Sequence, residues 1–291
     1  MQWRWLAVLT LALLTPGFLL PSAAWAAGEK LAVDLELLLA IDISGSVDPD
    51  EAKLQREGYA KALVDPQVVK AIGSGIHGRI AISYFEWADA YTENTVLDWT
   101  VIGDMASARA VAAKLLDVPI RIGRRTSISG AINAAIPRFK ASPYQGLRKV
   151  LDISGDGPNN AGDPVDLARD KALAQGIVIN GLPIINDRPN PWGMPVLEDL
   201  DRYYEGCVIG GPGSFVVVAE SFDTFHEAVR RKLVLEIASA LPVVPRHWGQ
   251  AGPPVRLQQP LKLAQGAYRY PKGCDAGERQ SQEFWRRRFD Q

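Results

Sequence analysis

The chain is poor in the residues that build most metal and redox sites. Its 291 residues include two cysteines and three histidines. His77, His226 and His247 lie far apart and have no metal-ligand spacing, which argues against a zinc centre of the usual His/Cys kind. A surplus of either charge is also missing: 32 Lys and Arg stand against 33 Asp and Glu, for a net charge of -1. Nucleic acid is therefore not expected as the main partner. Beyond residue 26 no segment has the ~20 consecutive apolar residues that a membrane-spanning helix requires. What is present, 47% hydrophobic and 22% charged residues, suits a folded globular protein.

The first residues, "MQWRWLAVLTLALLTPGFLLPSAAWAAGEK", carry one positive charge (Arg4), an apolar stretch broken by Pro16, Gly17 and Pro21, and then "AWA" at Ala24 to Ala26. Small residues in that pattern are what a signal peptidase reads. Residues 1–26 are expected to be a cleaved signal peptide, which places the mature protein in the periplasm or outside the cell, with no stable membrane insertion after cleavage. No cysteine follows the cleavage-like alanines, which argues against a lipid anchor.

Apolar, β-branched runs then alternate with helical patterns. "LELLLAID" (Leu35 to Asp42) is apolar on both faces and reads as a buried strand. Asp48, Pro49 and Glu51 follow as an acidic cap, a first-turn proline and the third-position Glu of a capping box. "GRIAISYFEW", "RKVLDISGDG" and "GIVINGLPI" read as further strands, "NTVLDWTVI" as an edge strand and "GSFVVVAES" as the last one. "DMASARAVAAKLLD", "SISGAINAAIPRFKAS", "PVDLARDKALAQ" and "FDTFHEAVRRKLVLEIASAL" read as helices. This alternation predicts an α/β fold: a doubly wound, mostly parallel sheet with helices on both faces. The domain is expected over residues 28–241. From Pro242 the chain becomes proline-rich and aperiodic, so residues 242–291 read as an extension draped on the domain or trailing from it.

In an open parallel sheet ligands bind beyond the carboxyl ends of the strands, at the point where strand order reverses. Asp42 ends one buried strand and Asp156 ends another, while Thr126 opens a helix between them. With Ser44 and Ser46 they offer two carboxylates and three hydroxyls, all of them oxygen donors. Hard cations such as Mg²⁺, with Mn²⁺ or Ca²⁺ as alternatives, take such ligands. Taken alone, Asp-x-Ser-x-Ser is also a common helix-entry loop whose hydroxyls bond backbone amides.

The set Asp42-x-Ser44-x-Ser46, then Thr126, then Asp156-Gly157 resembles the metal-ion-dependent adhesion site of von Willebrand factor A domains. The resemblance runs from about Leu35 to Leu241. Within it "VIGGPGSFVVV" and "RRKLVLEIA" are similar to a bacterial group of secreted A-like domains of unknown function. It implies that Ser44, Ser46 and Thr126 contact a divalent cation directly, and Asp42 and Asp156 directly or through water. The last coordination position is left to an acidic side chain of a partner protein. The implied function is a cation-dependent protein-binding module with no turnover. Two features depart from the family pattern. Gly155 stands where Thr is frequent, and Arg124 and Arg125 stand where small residues are usual. The arginines are either a cationic rim that favours an acidic partner or ordinary solvated loop charges.

Two other readings compete. "ISGDGPNN" looks superficially like the acidic loop of haloacid-dehalogenase-like Mg²⁺-dependent phosphatases. Their general acid lies two residues after the first Asp, and Ser44 occupies that place here, so a proton donor for the leaving group is missing. The other is an A-like fold that binds no metal and serves as a scaffold. Finally, export into an oxidising compartment predicts a disulfide between Cys207 and Cys274. It would fasten the extension to the domain.

Overall fold

A computed structural model describes residues 29–185, 193–221, 224–238, 262–263 and 268–290. The expected signal peptide and the proline-rich stretch after Pro242 lie outside the described residues. In chain order the strands are β1 (Leu31–Val33), β2 (Glu36–Asp42), β3 (Ile80–Trp87), β4 (Glu93–Ile102), β5 (Tyr144–Gly146), β6 (Lys149–Gly155), β7 (Ile177–Pro183), β8 (Phe215–Val216) and β9 (Lys262–Leu263). Seven of them form one sheet in the order β4-β3-β2-β6-β7-β8-β9, while β1 pairs with β5 in a separate ribbon. The inner pairings are parallel, and β4 and β9 close the two edges antiparallel.

The helices are α1 (Pro49–Leu63), α2 (Pro66–Gly73), α3 (Met105–Asp117), α4 (Ile128–Ala141), α5 (Val165–Leu173), α6 (Leu200–Tyr203), α7 (Phe225–Ala238) and α8 (Ala276–Phe289). α6 runs on into a π-helical turn at Tyr204–Val208. β2 shows why a layer forms on each side. Leu37, Leu39 and Ile41 pack with α1, α2, α3 and α7, whereas Leu38 and Ala40 pack with α4, α5 and the α6 region. Alternate side chains of a strand point to opposite faces, so a strand apolar at every position needs cover on both. The cap foreseen at Asp48 is formed: its carboxylate accepts from Glu51 N–H at 2.8 Å, and the Glu51 carboxylate accepts from Asp48 N–H at 3.0 Å.

Two ionic clusters are sealed in the interior. Arg56 of α1 pairs with Glu86 of β3. Lys232 of α7 lies 2.7 Å from Asp152 of β6 and also pairs with Glu236, whose side chain accepts from Asn180 Nδ2 at 2.9 Å. The "RRKLVLEIA" segment therefore ties α7 to the middle of the sheet through its lysine and glutamate.

Three details differ from the sequence reading. "GSFVVVAES" contributes a strand of only two residues, and β9 of the extension continues the sheet beyond it. The α2 helix and the α6 turn were not foreseen, because both are shorter than the window over which periodicity is visible. Residues 283–289, "EFWRRRF", belong to α8, which is docked on the domain. Cys207 and Cys274 are joined, with Cα atoms 5.4 Å apart.

Candidate metal centre

β2 and β6 are neighbours, and the chain leaves them in opposite directions: β2 leads towards β3 on one side, β6 towards β7 on the other. Asp42 is the last residue of β2, and Asp156 directly follows β6. Both carboxylates therefore meet at the reversal of strand order. Thr126 enters from the loop before α4, whose first turn is capped by the Ser127 hydroxyl accepting from Gly130 N–H at 3.1 Å. That loop is stitched to the Asp42–Ser46 turn by its backbone: Gly123 N–H donates to Ile43 O at 2.6 Å and Gly45 N–H to Arg124 O at 3.1 Å.

The hydroxyls form a directed chain. Ser46 Oγ donates to Asp156 Oδ1 at 2.6 Å. Its single proton is thus used, so the 3.1 Å contact between Ser44 and Ser46 has Ser44 as donor. Thr126 Oγ1 in turn donates to Ser44 Oγ at 3.1 Å. All five expected side chains come together at one place. Asp42 is fully buried; its Oδ1 accepts from Ser44 N–H at 2.7 Å, and its Oδ2 has no hydrogen-bond partner. No ion pair reaches Asp42 or Asp156 among the described residues.

The two carboxyls therefore resist ionising. Burial, and then the charge of Asp156, raise the Asp42 carboxyl well above the usual range. Burial pushes Asp156 up to about 6; the Ser46 hydroxyl works against the shift and nearby Glu51 adds to it. A buried carboxylate oxygen without a partner is costly. A cation placed between these carboxylates and hydroxyls removes the penalty, and the donor set fits a hard divalent ion. Among the described residues no group of three or more His, Cys, Asp or Glu side chains is arranged to hold a metal. This centre rests on hydroxyls as much as on acids.

Several supporting residues escaped sequence reasoning. Asn159 and Asn160 are both structural anchors of the site. Asn160 brackets Thr126, and buried Asn159 accepts from Ser129 N–H at 3.0 Å while donating to Asp163 O at 3.2 Å. Gln55 of α1 donates to the Asp42 carbonyl at 3.2 Å. Gly155, the departure noted above, has a physical reason. A Cβ there would stand 2.9 Å from both Asp42 Oδ2 and Tyr204 Oη, so the tyrosine hydroxyl and the Asp42 carboxylate crowd the place of a side chain on residue 155. Two amides one residue beyond an Asp-Gly pair at a strand end were the available signal for Asn159 and Asn160. For Tyr204 there was none. The side chains of Arg124 and Arg125 are exposed on the rim, without a hydrogen bond or ion pair among the described residues.

A mostly parallel sheet between two helical layers, with acids and hydroxyls gathered where strand order reverses, is the fold of von Willebrand factor A-type domains. Within that class, residues 32–241 match the family described as "Protein of unknown function (DUF1194)", and the chain belongs to it. No curated protein sequence matches the chain. Among solved structures it is similar to proximal thread matrix protein 1 from the mussel byssus, with 15% identity, 72% of this chain and 49% of that one covered, and a TM-score of 0.52. It is also similar to the pilus adhesin SpaC of Lactobacillus rhamnosus GG in its open conformation, at 13% identity over 72% of this chain and 31% of that one, TM-score 0.51. A von Willebrand factor type A protein from Catenulispora acidiphila aligns at 16% identity over 73% and 43% of the two chains, TM-score 0.47. The chain spans about half the length of the mussel protein and about a third of SpaC.

Proposed function

We propose that this protein is an exported, divalent-cation-dependent protein-binding module without catalytic turnover. The observation that carries the reading is the unpartnered, buried Asp42 Oδ2 beside Asp156, with three hydroxyls on the same spot. Ser44, Ser46 and Thr126 would hold the cation together with Asp42 and Asp156, Mg²⁺ being favoured by the all-oxygen donor set. A cation held there would offer an open coordination position to a carboxylate of the partner. The chain's own residues do the rest: Asn160 fixes Thr126, Gln55 fixes the Asp42 backbone, and Arg124 and Arg125 draw acidic surfaces towards the rim. Export rests on the leader-like first 26 residues. Among the described residues no helix is long and apolar enough to cross a membrane.

Calorimetric titration of the chelator-treated protein with Mg²⁺ and Mn²⁺ tests the reading. One saturable site, lost in Asp42→Asn, is the expected result; absence of any binding heat or melting shift would favour the metal-free scaffold. A phosphatase assay with a generic aryl phosphate is expected to give no turnover above the Asp42→Asn background.

A further inference from the structure

The extension does not merely rest on the domain. Its α8 helix reaches the candidate metal centre: Ser46, Thr126 and Asp156 line a pocket whose opposite wall includes Gly277 and Gln280. The contact is close and specific. A Cβ on Gly277 would collide with the Asn159 carbonyl, so glycine lets the helix press its first turn onto the loop that carries Asp156. Asn159 Nδ2 donates to Glu278 Oε1 at 2.7 Å, and Gln280 Nε2 donates to Pro195 O at 3.0 Å. The approach to α8 is anchored by Tyr270 and Lys272, both donating to Asp199 Oδ1 at 2.8 Å, and by the Cys207–Cys274 bridge.

Beyond this pocket, and sharing Asn160 and Met194 with it, a groove of about 700 Å³ runs between the domain and α8. Arg124, Arg125 and Tyr91 line its domain side and Trp285 its α8 side. Tyr91 is 96% exposed, and Trp285 stacks on Phe289, which is 80% exposed. Arg286 extends the cationic character along α8. Among the described residues that line the groove the acid is Asp89, which already accepts from Tyr91 N–H and from the Thr92 hydroxyl. Tyr, Trp and Arg are the side chains that dominate binding energy at protein interfaces.

We propose that α8 is the second wall of the partner site, and that the occupant is an extended acidic segment whose carboxylate lies close in sequence to an aromatic or large aliphatic side chain. The carboxylate would go to the metal centre and the apolar side chain between Tyr91 and Trp285, with Arg124, Arg125 and Arg286 complementing the segment's negative charge. The proposal rests on the cation-binding reading above and assigns to its partner a second determinant.

The test uses the full chain with its bridge intact, in excess Mg²⁺, and a panel of fluorescent eight-residue peptides read by anisotropy. Each peptide has one aspartate and one phenylalanine at varied spacing; control sets carry serine for the phenylalanine or asparagine for the aspartate. At least one spacing should bind about tenfold or more tightly than its serine control, as expected of a hot-spot aromatic. Trp285→Ala, and independently Tyr91→Ser on the opposite wall, should erase that preference while leaving the Mg²⁺-induced rise in melting temperature unchanged. No preference at any spacing, or a preference undiminished in both variants, overturns the proposal. A melting curve indifferent to Mg²⁺ instead overturns the metal reading on which it rests.

Discussion

Asn160 grips Thr126 from both sides of one residue: its side-chain oxygen accepts from Thr126 N–H at 3.0 Å, and its own N–H donates to Thr126 O at 2.8 Å. The loop that supplies one hydroxyl is thereby fixed to the loop that supplies Asp156. Groups that orient metal ligands commonly cost 10- to 100-fold in affinity when removed. Asn160→Ala is therefore expected to weaken Mg²⁺ binding by about tenfold or more in a calorimetric titration. An affinity equal to the parent's would make the pairing purely architectural.

Cation binding should stabilise the fold because it relieves two buried, mutually repelling carboxyls. At 100 times the dissociation constant, linkage amounts to ~2.7 kcal/mol, a melting shift on the order of 5 °C or more for a domain of this size. Asp42→Asn keeps the acceptor for Ser44 N–H and removes the charge. It is expected to abolish the Mg²⁺ shift and, in chelator, to melt no lower than the parent. Differential scanning calorimetry with and without Mg²⁺ checks both statements.

A separate pH dependence arises in the core. One ammonium, Lys232, faces two buried carboxylates, Asp152 and Glu236, and the half-buried Arg148 guanidinium lies against Glu236, donating to its carbonyl at 2.6 Å. Burial is the main cause that pushes Asp152 up to about 7; Lys232 opposes the shift and Glu236 adds to it. A carboxyl whose folded pKa exceeds its unfolded value binds more protons folded than unfolded, so its contribution to stability falls as pH rises from about 4 to 7. In chelator, the melting temperature of the parent should decline relative to that of Asp152→Asn as pH is raised from 5 to 8. Parallel curves would show that the cluster stays ionised throughout.

The bridge between Cys207 and Cys274 closes 67 residues, worth ~4 kcal/mol on the chain-entropy model. Protein produced in an oxidising compartment and alkylated under denaturing, non-reducing conditions should take up no alkyl group, and two after reduction. Mild reduction should release α8 first, seen as faster hydrogen exchange in 276–289 than in β2 and β6.

Much of this architecture was legible because it is local. Apolar runs on both faces identified β2 and β6 as inner strands, and Asp48-Pro49-Glu51 marked the start of α1 within a residue. The five oxygen donors could be listed because each sits at a strand end or helix entry, positions that sheet topology brings together. What stayed hidden depends on contacts between distant segments. Nothing near Asn159 announces Glu278, more than a hundred residues away, and nothing near Gly155 announces the hydroxyl of Tyr204. The sequence left the extension either draped on the domain or trailing from it, and only Gly277 seen against the Asn159 carbonyl shows where α8 docks.

The bridge also changes what counts as one molecule. β8, α7 and β9 all lie inside the covalent ring that it closes. A protease that cuts the ring once opens it without separating anything: α8 stays bonded through Cys274 to the π-helical turn, and the mass rises by a single water. Two chains would then travel as one until a reductant parts them, so the integrity of this protein in an oxidising compartment has to be judged on reduced samples.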